Sequence, residues 1–448
     1  MLIVLTLLVF LSVLPPTREI FSQEQPPAES KYQIDLSELQ KEVDKVAAKP
    51  YNLGGFLEFQ PTLFGIDRDS AVSRARFFRN PQDSLFDQYN FRLRLNGSFK
   101  KDWFSAFFKT DTLVRNDFDG WDEDTKLFEA YVSAKPSDNF IFEAGKKAMK
   151  WGKGYAWNPV SFIAPPKNPE DPEEALEGTT VATADYVQSF DGPLKTLTLT
   201  TALIPVYEYV NAKFGEPRRV NFASKLYLLL YDTDIDLMVL TGSSRTTRYG
   251  FDFSKNLTTN LEIHGEFAVV NNLDKMAINA SGQGFRTQSD ALSQLIGLRY
   301  LSERETTYIL EYYHNGAGYS RSQIKDFICF VDRSYQTFQT TGDDSGLVRA
   351  SALLDGPYGQ PNVGRHYLYF RASQKEAFDI LYFTPAVTSI MNLTDGSLTV
   401  IPELAYSPMT NLELRFRTPV LLGKDGTEYG EKQNDYRIEL RLRYHFGF

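Results

Sequence analysis

The feature that most constrains this chain is a two-residue alternation of apolar and polar side chains, sustained over segments of about ten to fourteen residues, the length of a tilted strand that crosses a bilayer. In DYRIELRLRYHFGF, Tyr436, Ile438, Leu440, Leu442, Tyr444, Phe446 and Phe448 fall on one face, and Arg437, Glu439, Arg441, Arg443 and His445 on the other. The division recurs in NLELRFRTPV, where Leu412, Leu414, Phe416 and Val420 oppose Glu413, Arg415 and Arg417, and in YNFRLRLNGSF, where Phe91, Leu93 and Leu95 oppose Arg92, Arg94 and Asn96. Successive side chains of a strand point to opposite faces, so each segment has one apolar and one polar side. A soluble antiparallel sheet alternates in the same way; the length and number of segments separate the two cases.

Candidate strands lie near 51–63, 86–99, 103–112, 126–134, 139–148, 179–190, 194–206, 220–231, 235–243, 247–255, 259–270, 290–301, 306–315, 364–373, 378–387, 397–407, 411–421 and 435–448. The expected fold is all-β: a transmembrane antiparallel up-and-down β-barrel of about 18 strands, an even number as bacterial single-chain barrels have. Every second connection is short and rich in turn residues, as in Lys100–Asp102, Asp191–Pro193 and Asp232–Asp234, whereas the intervening ones are mostly long, including 65–88, 116–125, 149–178, 207–220, 271–290 and 315–364. Short turns at one end and long loops at the other are the asymmetry of an outer-membrane barrel, and an even strand number puts both termini on the periplasmic side. Closure satisfies every backbone hydrogen bond without an exposed edge, which lipid requires. A propeller would show a repeat of about 40 residues, and none is visible.

Residues 51–448 are assigned to the barrel. Ahead of them, Leu2 to Leu14 form an apolar stretch of signal-peptide length, so residues 1–22 are expected to direct export. Residues 23–50 are expected to form a periplasmic arm with one short helix over Asp35–Ala48, where Leu36, Leu39, Val43 and Val46 have roughly helical spacing. No later segment is expected to form a long helix. Aromatic residues make up 14% of the chain, yet mean hydropathy is negative and the only long apolar run is N-terminal, which excludes a helical membrane protein. The single Cys329 and four scattered histidines supply no metal-ligand spacing, so neither metal nor cofactor is expected. A net charge of −9 argues against nucleic acid as a partner.

The terminal strand, with Tyr444, Phe446 and Phe448 at alternate positions, resembles the assembly signal of Gram-negative outer-membrane proteins. The whole chain resembles the porin superfamily, in particular alginate-export-type and related substrate-specific porins. GKKAMKWGKGYAWNP (Gly145 to Pro159) is similar to a segment of uncharacterised members of that group. The resemblance implies the barrel fold, an outer-membrane location and the transport class; outer-membrane lipid, the assembly machinery and a small polar solute are the expected partners.

On the barrel reading the polar faces line the lumen. The pore-lining candidates are Arg92, Arg94, Glu143, Arg299, Arg371, Glu413, Arg415, Arg417, Arg437, Glu439, Arg441 and Arg443. Their arginines cluster on strands 2, 17 and 18, which closure makes near neighbours. A free arginine wall would concentrate anions; alternatively these arginines pair with Glu143, Glu403, Glu413 and Glu439 and hold the barrel's shape. The loop Met149–Gly178 is aromatic at its start and then acidic and proline-rich, and an ordered loop of that length is more often functional than not. An outer lid over the mouth is the preferred reading; the alternative is an inward constriction with Trp151, Tyr155 and Trp157 as stacking surfaces and Glu170, Asp171 and Glu173 as a charged gate. No G-x-S-x-G or H-E-x-x-H pattern is present, and His264, between Glu262 and Glu266, is expected to be a salt-bridge partner in the lumen, so no enzyme activity is expected. Two functions follow: a porin passing small polar, in particular anionic, solutes, or a plugged or sheath-type barrel that holds an unidentified protein partner.

Overall fold

The computed structural model describes residues 49–447. The expected signal peptide, the Asp35–Ala48 helix and Phe448 lie outside the described residues.

The chain from Tyr51 winds as an antiparallel sheet in strict sequence order: β1 (Tyr51–Ile66), β2 (Leu85–Lys101), β3 (Phe104–Asp117), β4 (Gly120–Ala134), β5 (Phe140–Lys147), β6 (Thr179–Ser189), β7 (Leu194–Val206), β8 (Arg219–Leu230) and β9 (Thr233–Gly242). It continues through β10 (Arg248–Thr258), β11 (Leu261–Ile278), β12 (Gly284–Leu301), β13 (Thr306–His314), β14 (His366–Gln374), β15 (Phe383–Asn392), β16 (Leu398–Met409), β17 and β18 (Asn434–Gly447). Strand β17 consists of Leu412–Arg417 and Val420–Leu422, both paired with β16 and β18. Pro419 has no amide hydrogen to contribute to the ladder, which accounts for the break. Strand β18 returns to β1, with Phe56 opposite His445 and Thr62 opposite Glu439, so 18 strands close into a barrel with no free edge.

The alternation sets which side chains face out. Leu57, Phe91, Leu203, Leu237, Phe267, Leu298 and Leu440 are exposed on the outside, as are Phe108, Tyr308, Tyr436 and Tyr444. Their opposite-parity neighbours, including Glu58, Asp111, Asp236, Asp252, Glu266, Glu311 and Glu439, are buried on the inside. An apolar exterior over a charged interior reverses the layout of a soluble protein and matches a barrel solvated by lipid.

Three expectations are corrected. Connections 116–125 and 271–290 are not long loops: β3 runs to Asp117 and β4 starts at Gly120, while β11 and β12 extend to a tight turn between Ile278 and Gly284. The strand expected at 378–387 begins at Phe383, because Phe378, Asp379 and Tyr382 take positive φ in the preceding turn. Finally, 315–364 holds a long helix. It contains α2 (Arg321–Thr341) and α3 (Ser345–Leu354), and α1 (Ala71–Phe77) lies between β1 and β2. A capping box starts α2: Ser320 Oγ accepts from the Gln323 amide while the Gln323 side chain accepts from the Ser320 amide at 2.9 Å.

These helices form a cap. Ala71 and Ala75 of α1, Ile324, Phe327, Ile328 and Val331 of α2, and Leu347, Ala350 and Leu353 of α3 share one buried cluster with Ala277 and Ile278 at the end of β11. The strands that carry α1 and those that carry the β11 end lie almost opposite each other in the 18-strand circle. The cap therefore spans the loop end of the barrel.

Candidate functional site: a loop across the lumen

Between β5 and β6 the chain leaves the wall and enters the interior. Trp151, Ala156, Trp157, Val160, Phe162 and Ile163 are all buried. Val160, Phe162 and Ile163 pack on Val181, Ile204, Ala223, Met238, Leu240 and Ala268, inward residues of β6 to β11. Trp157 packs on the other side with Leu295, Ile309, Tyr367, Tyr369 and Ile390, its ring 5.1 Å from that of Tyr313 and 5.9 Å from that of Tyr369. The loop is an inward segment; the preferred lid reading is corrected. Its apolar residues, which water would have met at the mouth, are removed from it inside.

Two wall carboxylates fix the segment by its backbone. Glu266 on β11 accepts from the amides of Lys153 and Gly154, each at 2.6 Å, and of Val160 at 3.3 Å. Glu311 on β13 accepts from Tyr155 at 2.5 Å and Ala156 at 2.9 Å, and contacts His264 Nε2 at 2.9 Å. A non-helical loop buried in a barrel has amides that need acceptors, and these carboxylates supply them. The local sequence fits: Gly152 adopts φ +96°, and a Cβ there would lie 2.7 Å from Glu266 Oε1. Lys153 Nζ reaches Asp236 on β9 at 3.2 Å, and Lys167 Nζ donates to the carbonyls of Gly154 and Tyr155 at 2.7 and 3.1 Å. Burial lowers the Lys167 ammonium's pKa.

The acidic half of the loop lies against the arginines. Asp171 contacts Arg415 at 3.3 Å, Arg417 at 3.7 Å and Arg441 at 2.9 Å. Burial works against its charge, but Arg441, Arg415 and Arg417 outweigh that and hold its pKa at about 2. Glu170 pairs with Arg437 and accepts from Arg417 through its carbonyl at 2.7 Å, and those guanidiniums hold its pKa low despite burial. Glu174 meets Arg92 at 3.1 Å, and Glu173 accepts from the Tyr155 hydroxyl at 2.9 Å. Strand carboxylates supply further partners: Asp111 for Arg92 and Arg94, Glu403 for Arg371, Arg415 and Arg417, Glu439 for Arg417 and Arg437, Glu58 for Arg441 and Arg443, and Glu413 for Arg443.

The arginines of strands 2, 17 and 18 thus meet, as the alternation suggests, in a neutralised network and not a bare wall. Glu143 stands apart from it and pairs with Lys147, while Arg299, exposed near the turn end, faces Glu262 across the β11–β12 ladder. His264 sits between Glu262, at 3.5 Å, and Glu311. Of the proposed assembly residues, Tyr444 is exposed on the outer face and Phe446 is in register with Gly55. Sequence reasoning missed Glu58, Asp236 and Asp252 on the interior face, although their parity in FLEFQ, DIDLM and FDF marks them. It also missed Glu428 of the β17–β18 loop, which accepts from Tyr367 at 2.5 Å and Asn392 at 2.7 Å. No distance pattern along the chain announces that contact.

No family model matches this chain, and no curated protein matches its sequence. Solved structures do. Wzi, an outer-membrane protein involved in group 1 capsule assembly in Escherichia coli and a carbohydrate-binding β-barrel, aligns over 94% of this chain and 90% of its own, at a TM-score of 0.51 and 10% identity. The likeness is one of fold. OccK11 (OpdR) of Pseudomonas aeruginosa aligns over 88% of this chain and 96% of its own, at a TM-score of 0.48 and 11% identity.

Proposed function

We propose that this is a bacterial outer-membrane barrel whose lumen is closed at rest by the 148–178 loop, and that it works at the cell surface as a binding protein and not as an open diffusion pore. The observation that carries this reading is the capture of five loop amides, four of them successive, by Glu266 and Glu311, with the loop's acids spent on the arginines that would otherwise attract solute. The apolar exterior and the even strand count favour the outer membrane, with the turn end and both termini periplasmic and the helical cap outside. The sequence likeness of Tyr444, Phe446 and Phe448 to an assembly signal supports delivery by the outer-membrane assembly machinery. Carbohydrate is the ligand class we favour, because Wzi, of like fold, is a carbohydrate-binding barrel.

A second reading keeps the arginine-lined path for small polar or anionic solutes. It is favoured by the fastening of residues 170–174, which is ionic and hydrogen-bonded and so can release. Arg92, Arg94, Arg371, Arg415, Arg417, Arg437, Arg441 and Arg443 would then line the pathway once the loop withdraws. Proteoliposome swelling in neutral monosaccharides separates the two. The closed reading expects the rate of protein-free vesicles; swelling that falls steeply with solute size would instead support the porin.

A further inference from the structure

Among the described residues, arginines that are not exposed have a carboxylate partner, with two exceptions: Arg245 and Arg248. Both lie at the loop end, in the β9–β10 turn and at the first residue of β10. Arg245 is stacked on Phe214, its guanidinium carbon 3.7 Å from the ring centre. It donates through Nε to the Phe214 carbonyl and through Nη1 to the Phe162 carbonyl of the lumen loop at 3.2 Å. Arg248 has inward parity, two residues before Gly250, whose missing side chain leaves room for the Phe162 ring. The Arg248 Nε is buried without a hydrogen-bond partner. So is Ser161 Oγ, one residue before the Phe162 carbonyl. Glu216, whose amide donates to Ser244 O at 3.4 Å, and Asp290, whose carboxylate accepts from the Asn272 amide at 2.8 Å, both have exposed side chains and pair with neither arginine. Burial, and then repulsion from Arg248, pushes the Arg245 pKa down to about 10.

A buried or half-buried cation without a counter-charge is costly, and a chain that neutralises its other inward arginines so thoroughly leaves this pair as an exception that calls for an anion. We propose that Arg245 and Arg248 form an oxyanion site at the loop end of the barrel, which takes a carboxylate or phosphate group of an acidic ligand. Arg245, held by Phe214 and two carbonyls, offers a fixed charge, and Arg248 offers a planar fork with no other bond to break, suited to two oxygens of one group. The site lies at the loop end and uses neither Glu266 nor Glu311, so its failure would leave the closed-lumen reading untouched.

The test is calorimetric titration of the detergent-solubilised full chain with inorganic phosphate and, separately, with D-glucuronate. One saturable site is expected for at least one of them, weakened at least tenfold in Arg248→Gln, partly restored in Arg248→Lys, and unchanged in Arg286→Gln, an exposed arginine elsewhere at the same end. Phosphate alone would assign the site to phosphorylated ligands, glucuronate alone to acidic sugars, and both to any oxyanion of that size. Because the Arg248 side chain has no bond in the structure, its variants should fold, which a thermal unfolding scan confirms. No saturable binding of either anion, or equal binding by Arg248→Gln, overturns the proposal.

Discussion

Replacing Glu266 and Glu311 together with alanine should release the lumen loop while the barrel wall stays closed. The double variant orphans the amides of Lys153, Gly154, Tyr155, Ala156 and Val160. Gly154 and Ala156 are buried residues, and a buried donor left without an acceptor costs about 1–3 kcal/mol. Those two alone remove roughly 2–6 kcal/mol from what holds the loop in place. At about 1.4 kcal/mol per factor of ten, the open population should rise on the order of 10- to 10⁴-fold, with water entry favouring the low end. Ala156→Cys in a Cys329→Ser background provides the assay, because its thiol is out of reach until the loop leaves. The maleimide labelling rate should increase by that factor in the double variant. An unchanged rate in a barrel that still resists unfolding in detergent would refute the claim that these carboxylates hold the loop.

Three further outcomes follow from the same contacts. Asp171 has a folded pKa near 2, below its unfolded value, so its stabilisation is complete above about pH 4 and is lost as pH falls through about 2; acrylamide quenching of Trp151 and Trp157, in a Trp103→Phe, Trp121→Phe background, should rise across that window. Trp157→Ala empties the centre of a buried aromatic cluster and should lower stability by about 3–5 kcal/mol, measured as an earlier thermal transition of the loop. Ser320→Ala removes the α2 capping box and should cost about 0.5–2 kcal/mol in the cap, seen as faster hydrogen exchange in 321–341 with barrel strands unaffected.

The wall was legible because its physics is local. Lipid outside and ion pairs inside impose opposite demands on neighbouring residues, and Arg437 to His445 display both demands in one strand. The α2 helix was less legible: Ile324, Phe327, Ile328 and Val331 are at helical spacing, and Ser320 with Gln323 marks its start, but Phe, Tyr, Val and Cys in one segment also suit a strand. The direction of the 148–178 loop was not legible. It is decided by contacts more than one hundred residues apart in sequence, Lys153 with Glu266 and Tyr155 with Glu311, which no local pattern encodes. The arginine pairing was only half legible: strand acids could be listed by parity, but Asp171 and Glu170 become partners only after the loop has turned inward.

The most direct test of the closed barrel is single-channel recording of the wild-type protein in a planar lipid bilayer, with insertion verified independently by protease protection. Inserted protein is expected to give no stable open steps, and brief openings should appear in the Glu266→Ala, Glu311→Ala variant. Stable wild-type conductance, with anion preference reduced by charge reversal at Arg92, Arg415 and Arg441, would contradict the account and restore the arginine-lined porin.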